Sequence, residues 1–504
     1  MGAIVTMLLV GYAGWFRTGR DILRLPTEWA HVLSLMIIAN GFFLVHMIAG
    51  HLMFHTLPLM GWLLWLLFHP SRDTVRRIAT RGALFGMIIA IMLYSGGFLI
   101  VMFAGMMCLF VLPFVILFDK APFQQKLRSL GMRAIAYGSI TFFLALSKIV
   151  AVYSFMRFFP RIVPFDRFAS EASTLRFIFR AFWGFPQQAD LFEFIRLPWP
   201  ASEYSLLLSP VVFLGVLAVP LLLWIYWRAL LRHPMRTILC IAYTMLVILF
   251  FVQLARGYGF LVTPLNTLPL FQSVHVTVRF LVIFAIGIAA AGIYALVLLF
   301  RSCSFCRPYE QFALLFCHLM TVLYFTFGYV GMVNTNAFWM QVSYAPLREA
   351  LRSAHTFSLP VFLVEKGHHD LTLVQRGTTS VHCHEPLFGY QAQHQITSIV
   401  PGTVTTVENG TFNMNNPACF QYPRENFCAP GDRISVMDRE NFDHFLRGER
   451  TTWKLSSAQH IADWITGATL LFCITILLRE WHLRITLSPY KRTRFFTPHA
   501  PQIP

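Results

Sequence analysis

Residues 97–118 read GFLIVMFAGMMCLFVLPFVILF, an unbroken apolar run without a single charge. A helix needs roughly 20 such residues to cross the hydrocarbon of a bilayer, and a helix apolar on every side has no face to offer water. By the same measure the chain holds ten more runs: 1–16, 30–49, 52–68, 82–94, 134–155, 206–226, 237–255, 280–300, 312–333 and 461–478, with 1–16 and 82–94 short. Two long hydrophilic stretches, 156–205 and 334–460, lie between them. The expected fold is an all-α polytopic membrane protein of about eleven transmembrane helices. Its expected parts are a helical bundle over 1–333 that includes the outer stretch 156–205, an extracytoplasmic domain over 334–460, and a last span with a basic tail over 461–504.

Composition agrees with this reading. Of 504 residues, 56% are hydrophobic and 12% charged, and the mean hydropathy is +0.59. A soluble domain carries about twice that charge. Fifty Phe and twelve Trp exclude a disordered chain, which is poor in aromatics. The net charge of +17 points to topology and not to nucleic acid, because in a membrane chain the placement of cations decides. Arg72, Arg76, Arg77 and Arg81 form one basic turn, and Lys120, Lys126, Arg128 and Arg133 another. Arg228, Arg232 and Arg236 make a third, Arg301 and Arg307 a fourth, and the tail carries Arg479, Arg484, Lys491, Arg492 and Arg494. Placing all of them in the cytoplasm is self-consistent across every span, and puts both long loops outside. The expected location is a bacterial inner membrane. Eleven spans then put Met1 outside, and residues 1–16 lack the charged start and small-residue cleavage site of a signal peptide. Either that first segment lies in the interface, or the chain begins after an element that related proteins possess.

The two outer stretches differ. Residues 156–205 interleave Phe, Trp, Arg and Pro, the composition of short amphipathic helices at headgroup level; a lipid-phosphate surface and a structural collar both fit. Residues 334–460 alternate apolar and polar in PVFLVE, DLTLVQ, ITSIVPGTVTTVENG and RISVMD, which predicts a small, mainly β domain with a hairpin turn at Glu408-Asn409-Gly410. Cys419 and Cys428 flank a turn-rich loop on the oxidising side and are expected to pair as a disulfide. Cys303 and Cys306 form a lone C-x-x-C in a cytoplasmic turn. The groups His382-Cys383-His384-Glu385 and His368-His369-Asp370 carry metal-ligand residue types, but at no recognised spacing. No cofactor is indicated, and a divalent metal is left unassigned. His46, His51 and His55 sit near the outer turn of the second and third spans, as packing or as ligand-facing residues.

No P-loop, nucleophile elbow, zinc-protease helix or dinucleotide fingerprint is present. Charges at membrane depth are costly and are functional candidates by default. Lys148 lies in LALSKIVAV, about two turns from the outer boundary. Arg161, Arg256 and Arg279 follow at outer exits. Together these four would form a cationic rim for a polyprenyl phosphate head, with membrane lipids around it.

This arrangement resembles bacterial membrane proteins of the type-C glycosyltransferase superfamily. The similar parts are Lys148 in a span leaving through Phe159-Pro160-Arg161, Leu268-Pro269-Leu270-Phe271 followed by Arg279-Phe280, and Glu385-Pro386-Leu387-Phe388-Gly389-Tyr390 with 413–432. The resemblance implies transfer of a sugar from a polyprenyl-phosphate-linked donor to a lipid, glycan or protein acceptor on the outer face. It also implies a carboxylate base in a first outer loop. The first hydrophilic stretch here, 17–28, holds Asp21 and Glu28 but falls inside by the charge rule, so that residue cannot be carried over. Among Asp166, Glu171 and Asp190, Asp166 is the chosen base because it follows Arg161 most closely; pairing with Arg167 is the plain alternative. A partner subunit supplying the missing element, a non-catalytic scaffold of the same fold, and an amphiphile transporter remain as alternatives.

Overall fold

The computed structural model describes residues 2–48, 51–70, 73–118, 122–156, 206–232, 234–268, 277–303, 305–335 and 455–492, the positions 174, 177–179, 181–182, 271 and 274, and the strand pieces 407–408, 411–412 and 434–435. Among these residues nine helices are long and apolar enough to cross a membrane: Thr27–Met47, Val75–Tyr94, Phe98–Leu117, Phe123–Ser154, Pro210–Arg228, Thr237–Arg256, Thr277–Ser302, Arg307–Gly328 and Ser457–Leu483. The chain is a multi-pass membrane protein built on helices. Nine of the eleven expected spans therefore have a full-length helical counterpart. The other two are α1 (Gly2–Arg17) and the shorter apolar piece Leu52–Phe68.

Those two short pieces lie side by side. A Cβ on Gly11 would fall 2.2 Å from the Pro58 Cβ, and one on Gly14 would fall 2.6 Å from the Trp62 ring. Trp62 Nε1 donates to the Val10 carbonyl at 2.7 Å, and Thr18 Oγ1 to the Gly61 carbonyl at 2.7 Å. Sequence position rises together along both partners, so they run parallel. Glycine is needed here because the backbones approach closer than any side chain allows. A π-helical turn, Thr18–Ile22, extends α1. The partner begins as a 3₁₀ segment, Leu52–Leu59, and continues as α4 (Met60–Phe68).

The second span is one apolar run but two helices, α2 (Thr27–Ile38) and α3 (Gly41–Ile48). Asn40 breaks it: its Oδ1 accepts from Phe43 N at 3.0 Å and caps α3, and its amide bonds back to Ile37 O. Into this break enters the chain that follows the 156–205 stretch. Gly41 N donates to Leu206 O at 3.1 Å, and Leu206, Leu207, Leu208 and Ser209 are buried. Of that stretch, Phe177, Ala181 and Phe182 are buried while Phe179 is exposed, and Phe182 meets Phe284 at 5.9 Å.

The long helices follow. Helix α5 (Val75–Tyr94) is capped by Thr74, whose side chain accepts from Arg77 N. It ends at Gly96, φ +80, with Gly97 N bonded to Met92 O and Gly96 N to Leu93 O, the glycine-dependent C-cap that reverses the chain into α6 (Phe98–Phe118). Next come α7 (Phe123–Met156), α8 (Pro210–Arg232), α9 (Pro234–Arg256), α10 (Leu281–Ser302), α11 (Glu310–Thr335) and α12 (Ser457–Arg492). Proline opens α8 and α9, where its missing N–H costs nothing. Helices α5, α7 and α12 pack together, as do α8 and α10, the latter pair with Gly215 against Gly292.

Contacts between elements sort into two ends. At one end Trp65 donates to Asp21 at 2.7 Å, Arg76 pairs with Glu480 at 2.6 Å, and Trp29 donates to Glu310 at 3.0 Å. These belong to the basic turns. At the other end Ser147 donates to Asp463 at 2.6 Å, and Phe103 packs on Phe280 with ring centroids 5.0 Å apart. We call these the basic end and the far end.

Of residues 336–454, three strand pieces are described: β1 (Val407–Glu408), β2 (Thr411–Phe412) and β3 (Ile434–Ser435). They pair antiparallel in the order β1-β2-β3, with Glu408 opposite Thr411. That register leaves a two-residue connection, the position of Asn409-Gly410 in the sequence.

Candidate binding site at the far end

The far end is built around Phe54, in the 3₁₀ segment after the α3 turn. His51 N reaches back to His46 O at 2.8 Å and Phe54 N to His51 O at 3.1 Å, so the turn closes tightly. The Phe54 ring meets Phe42 edge-on at 5.1 Å and His46 at 4.5 Å, and His46 and His51 lie 5.3 Å apart. Phe42 continues to Phe103, and Phe103 to Phe280. Over Phe54 sits the guanidinium of Arg279, 5.5 Å from the ring centroid. Arg279 is only 7% exposed and His46 fully buried.

Arg279 is placed by a short 3₁₀ turn, Thr277–Phe280, wholly buried, which leads into α10. Helix α9, which ends at Arg256, packs on this turn. There Arg256 lies 4.0 Å from the centroid of Tyr258. The loop beyond is shaped by Gly257 and Gly259, both at positive φ, and by Gln253, whose Oε1 accepts from Leu261 N at 2.9 Å. A Cβ on Gly259 would fall 2.3 Å from the Gln253 side chain, so the loop folds back onto α9. Two buried hydroxyls, Thr56 Oγ1 and Thr277 Oγ1, have no hydrogen-bond partner among the described residues. The arrangement is a cation with aromatic walls and an unused donor close by in the chain. It suits a phosphate attached to an apolar tail.

The four cations named from the sequence divide. Arg256 and Arg279 come from neighbouring elements. Lys148 lies on α7, which packs mainly against α5 and α12, beside the Ser147–Asp463 contact. Arg161 and Asp166 lie outside the described residues, as do Cys419, Cys428 and the histidine groups 368–370 and 382–385. Among the described residues no three His, Cys, Asp or Glu side chains come together to hold a metal.

Sequence reasoning missed a second polar cluster, at the basic end. Arg133, 4% exposed, pairs with Asp73 at 2.8 Å and donates to the carbonyls of Leu67 at 2.7 Å and His69 at 3.0 Å. It thus satisfies the carbonyls left open where α4 ends. Ser129 also bonds Asp73. Beside this, Asp21 accepts from Trp65, Arg81 stacks on the Trp65 ring at 5.3 Å, and His69 lies 3.8 Å from Asp21. Burial holds the His69 imidazole below its ordinary pKa, with Arg81 adding to this and Asp21 opposing it. Arg133 looked like one more cation of a basic turn. Its four-residue spacing from Ser129 was the available signal.

The fold and site thus define a multi-pass helical membrane protein with a buried cation–aromatic cluster at one end and a buried ion-pair cluster at the other. No protein-family model, curated protein or solved structure matches the chain.

Proposed function

We propose that the protein is a membrane glycosyltransferase that takes a sugar from a polyprenyl-phosphate-linked donor and passes it to a lipid, glycan or protein acceptor. The donor phosphate would rest at the far end, facing outward from a bacterial inner membrane, with the mainly β domain of residues 334–460 on the same side. The observation that carries this reading is Arg279, a buried guanidinium on an aromatic ring, in a turn that packs on α9, the helix that ends at Arg256. Keeping a charge in an apolar bundle is costly and is expected where it binds something. The Thr277 hydroxyl two residues away offers a further donor. Phe42, Phe54, Phe103 and Phe280 supply apolar walls beside it.

A non-catalytic binding subunit is the second reading, and one observation favours it. Among the described residues, Asp463 is the carboxylate at the far end of the helices, and its Oδ1 is taken up by Ser147 and Gln459, both at 2.6 Å. It stands on α12, which packs chiefly on α7 and α5. A base would then come from Asp166 or another outer-loop carboxylate, or from a partner subunit.

Binding of a polyprenyl-phosphate sugar to folded, purified protein tests the site. Arg279→Gln and Arg256→Gln should weaken it roughly tenfold or more, the scale of one charge-assisted contact, while Arg232→Gln and Arg307→Gln leave it unchanged. Equal binding in all four variants removes the proposal. Sugar transfer by wild type, lost in Asp166→Asn with binding kept, separates the enzyme from the binding subunit.

A further inference from the structure

The turn between α10 and α11 carries chemistry that the far-end site does not use. Cys303 closes α10, its N–H bonded to Leu299 O at 2.9 Å. Cys306 N and Arg307 N both return to Cys303 O at 3.1 Å, and Cys306 in turn precedes the 3₁₀ turn Arg307–Tyr309 that opens α11. A turn closed from residue 303 to residue 306 holds the two Cα atoms within the roughly 7 Å that a disulfide can span. Both cysteines are free and partly exposed, with Arg301 and Arg307 exposed on either side. The other described cysteines, Cys108, Cys240, Cys317 and Cys473, lie within helices long enough to span the membrane.

The Cys303 thiol is held below its ordinary value by the neighbouring Cys306 and the backbone N–H groups of the turn, and the Cys306 thiol is raised by its neighbour Cys303. The two thiols thus have unlike roles, attacking and resolving.

We propose that Cys303 and Cys306 form a redox-active dithiol at the basic end, oxidised reversibly by a low-molecular-weight disulfide. The Cys303 thiolate attacks one sulfur of the disulfide RSSR. A bond forms from Cys303 to that sulfur, the S–S bond breaks, and RS⁻ leaves and takes up a proton as RSH. Cys306, losing its proton to water, attacks the Cys303 sulfur of the mixed disulfide and expels the second RS⁻, which is protonated in turn. The products are one Cys303–Cys306 disulfide and two RSH; two electrons pass from the protein to RSSR. If the basic turns face the cytoplasm, the pair is reduced at rest and reports oxidation there.

The test uses the full-length protein in detergent, equilibrated over a series of reduced to oxidised glutathione ratios and quenched in acid. Peptide mass analysis should show the 303–306 peptide losing two hydrogen atoms as the ratio becomes oxidising. Cys306→Ser should accumulate glutathione on Cys303, whereas Cys303→Ser should leave Cys306 almost unmodified over the same time. Iodoacetamide should alkylate Cys303 roughly tenfold faster than Cys306 in the reduced wild type, the difference being thiolate fraction. Both substitutions fall in a partly exposed turn, and elution as wild type on size exclusion confirms the fold. Absence of an internal disulfide at every ratio, or equal glutathione capture by the two variants, overturns the assignment. Neither outcome bears on the donor site at the far end.

Discussion

At the scale of single residues, the largest unequal stakes lie in two ion pairs at the basic end. Arg133–Asp73 is buried on both sides, whereas Arg76 in the Arg76–Glu480 pair is 54% exposed. Removing one partner of a buried pair leaves an uncompensated charge and costs about 3–5 kcal/mol, while an exposed pair contributes about 0–1 kcal/mol. Asp73→Ala should therefore lower the unfolding midpoint of the detergent-solubilised protein far more than Arg76→Ala; equal shifts would contradict the assignment. His69 gives a pH dependence at the same end. Its folded pKa lies below the unfolded value, so the unfolded chain binds the proton first. Stability is complete above the unfolded value near 6.5 and falls as pH drops through the lowered folded value. His69→Gln should flatten the fall in thermal midpoint between neutral and mildly acidic buffer, and an unchanged slope would show that another group sets it. Little of this cluster was legible in the sequence. Arg81 and Arg133 count there only as cations near a membrane end, and nothing local says that Arg133 turns inward to cap α4. Arg256 and Arg279 were legible, because a cation at the exit of an apolar run is conspicuous; the Phe54 ring beneath Arg279 was not, since it comes from a segment more than two hundred residues away.

At the scale of elements, apolar run length located the helices well and their ends poorly. Run 82–94 becomes Val75–Tyr94, run 134–155 becomes Phe123–Met156, and run 461–478 becomes Ser457–Arg492. Hydropathy reports where lipid contact stops; the helix continues through Gln, Lys and Arg, which favour helix. The break at Asn40-Gly41 was hidden for the opposite reason, because two non-hydrophobic residues barely dent a long run. Helix pairing is set by features hydropathy ignores. Gly215 on α8 faces the Gly292 backbone on α10, where a Cβ would stand 2.3 Å from the carbonyl oxygen. Gly215→Ala must push two backbones apart and should destabilise by about 1–3 kcal/mol. Gly287→Ala, on α10 with nothing within 4 Å of the added Cβ, should be neutral or up to about 1 kcal/mol stabilising. Denaturant unfolding of the two variants in one detergent measures the difference. Equal effects would mean that α8 and α10 do not cross at these glycines.

At the scale of the whole molecule, the two ends make the topology a single decision. Residues 21, 73, 76, 129, 133, 310 and 480 make contacts of the basic end; residues 54, 103, 147, 279 and 463 make contacts of the far end. The spans thus alternate, and fixing the side of one turn fixes all. Helix α12 ties both ends together, with Asp463 at the far end and Glu480 at the basic end. Its chain therefore enters from residues 334–460 at the far end and leaves toward the tail at the basic end. Since cations are retained on the cytoplasmic side, the basic end should be cytoplasmic. Single-cysteine variants Ser380→Cys and Ser488→Cys, in a chain with the nine native cysteines replaced, test this directly. A membrane-impermeant maleimide added to intact cells should label position 380 and spare position 488, and lysis should expose both. Labelling of 488 alone in intact cells would invert the protein, moving the Arg279 site to the cytoplasm and the Cys303–Cys306 pair to the oxidising side. The inverted protein would then carry a stable 303–306 disulfide as isolated, so the thiol state of that pair provides a second, independent reading of the same orientation.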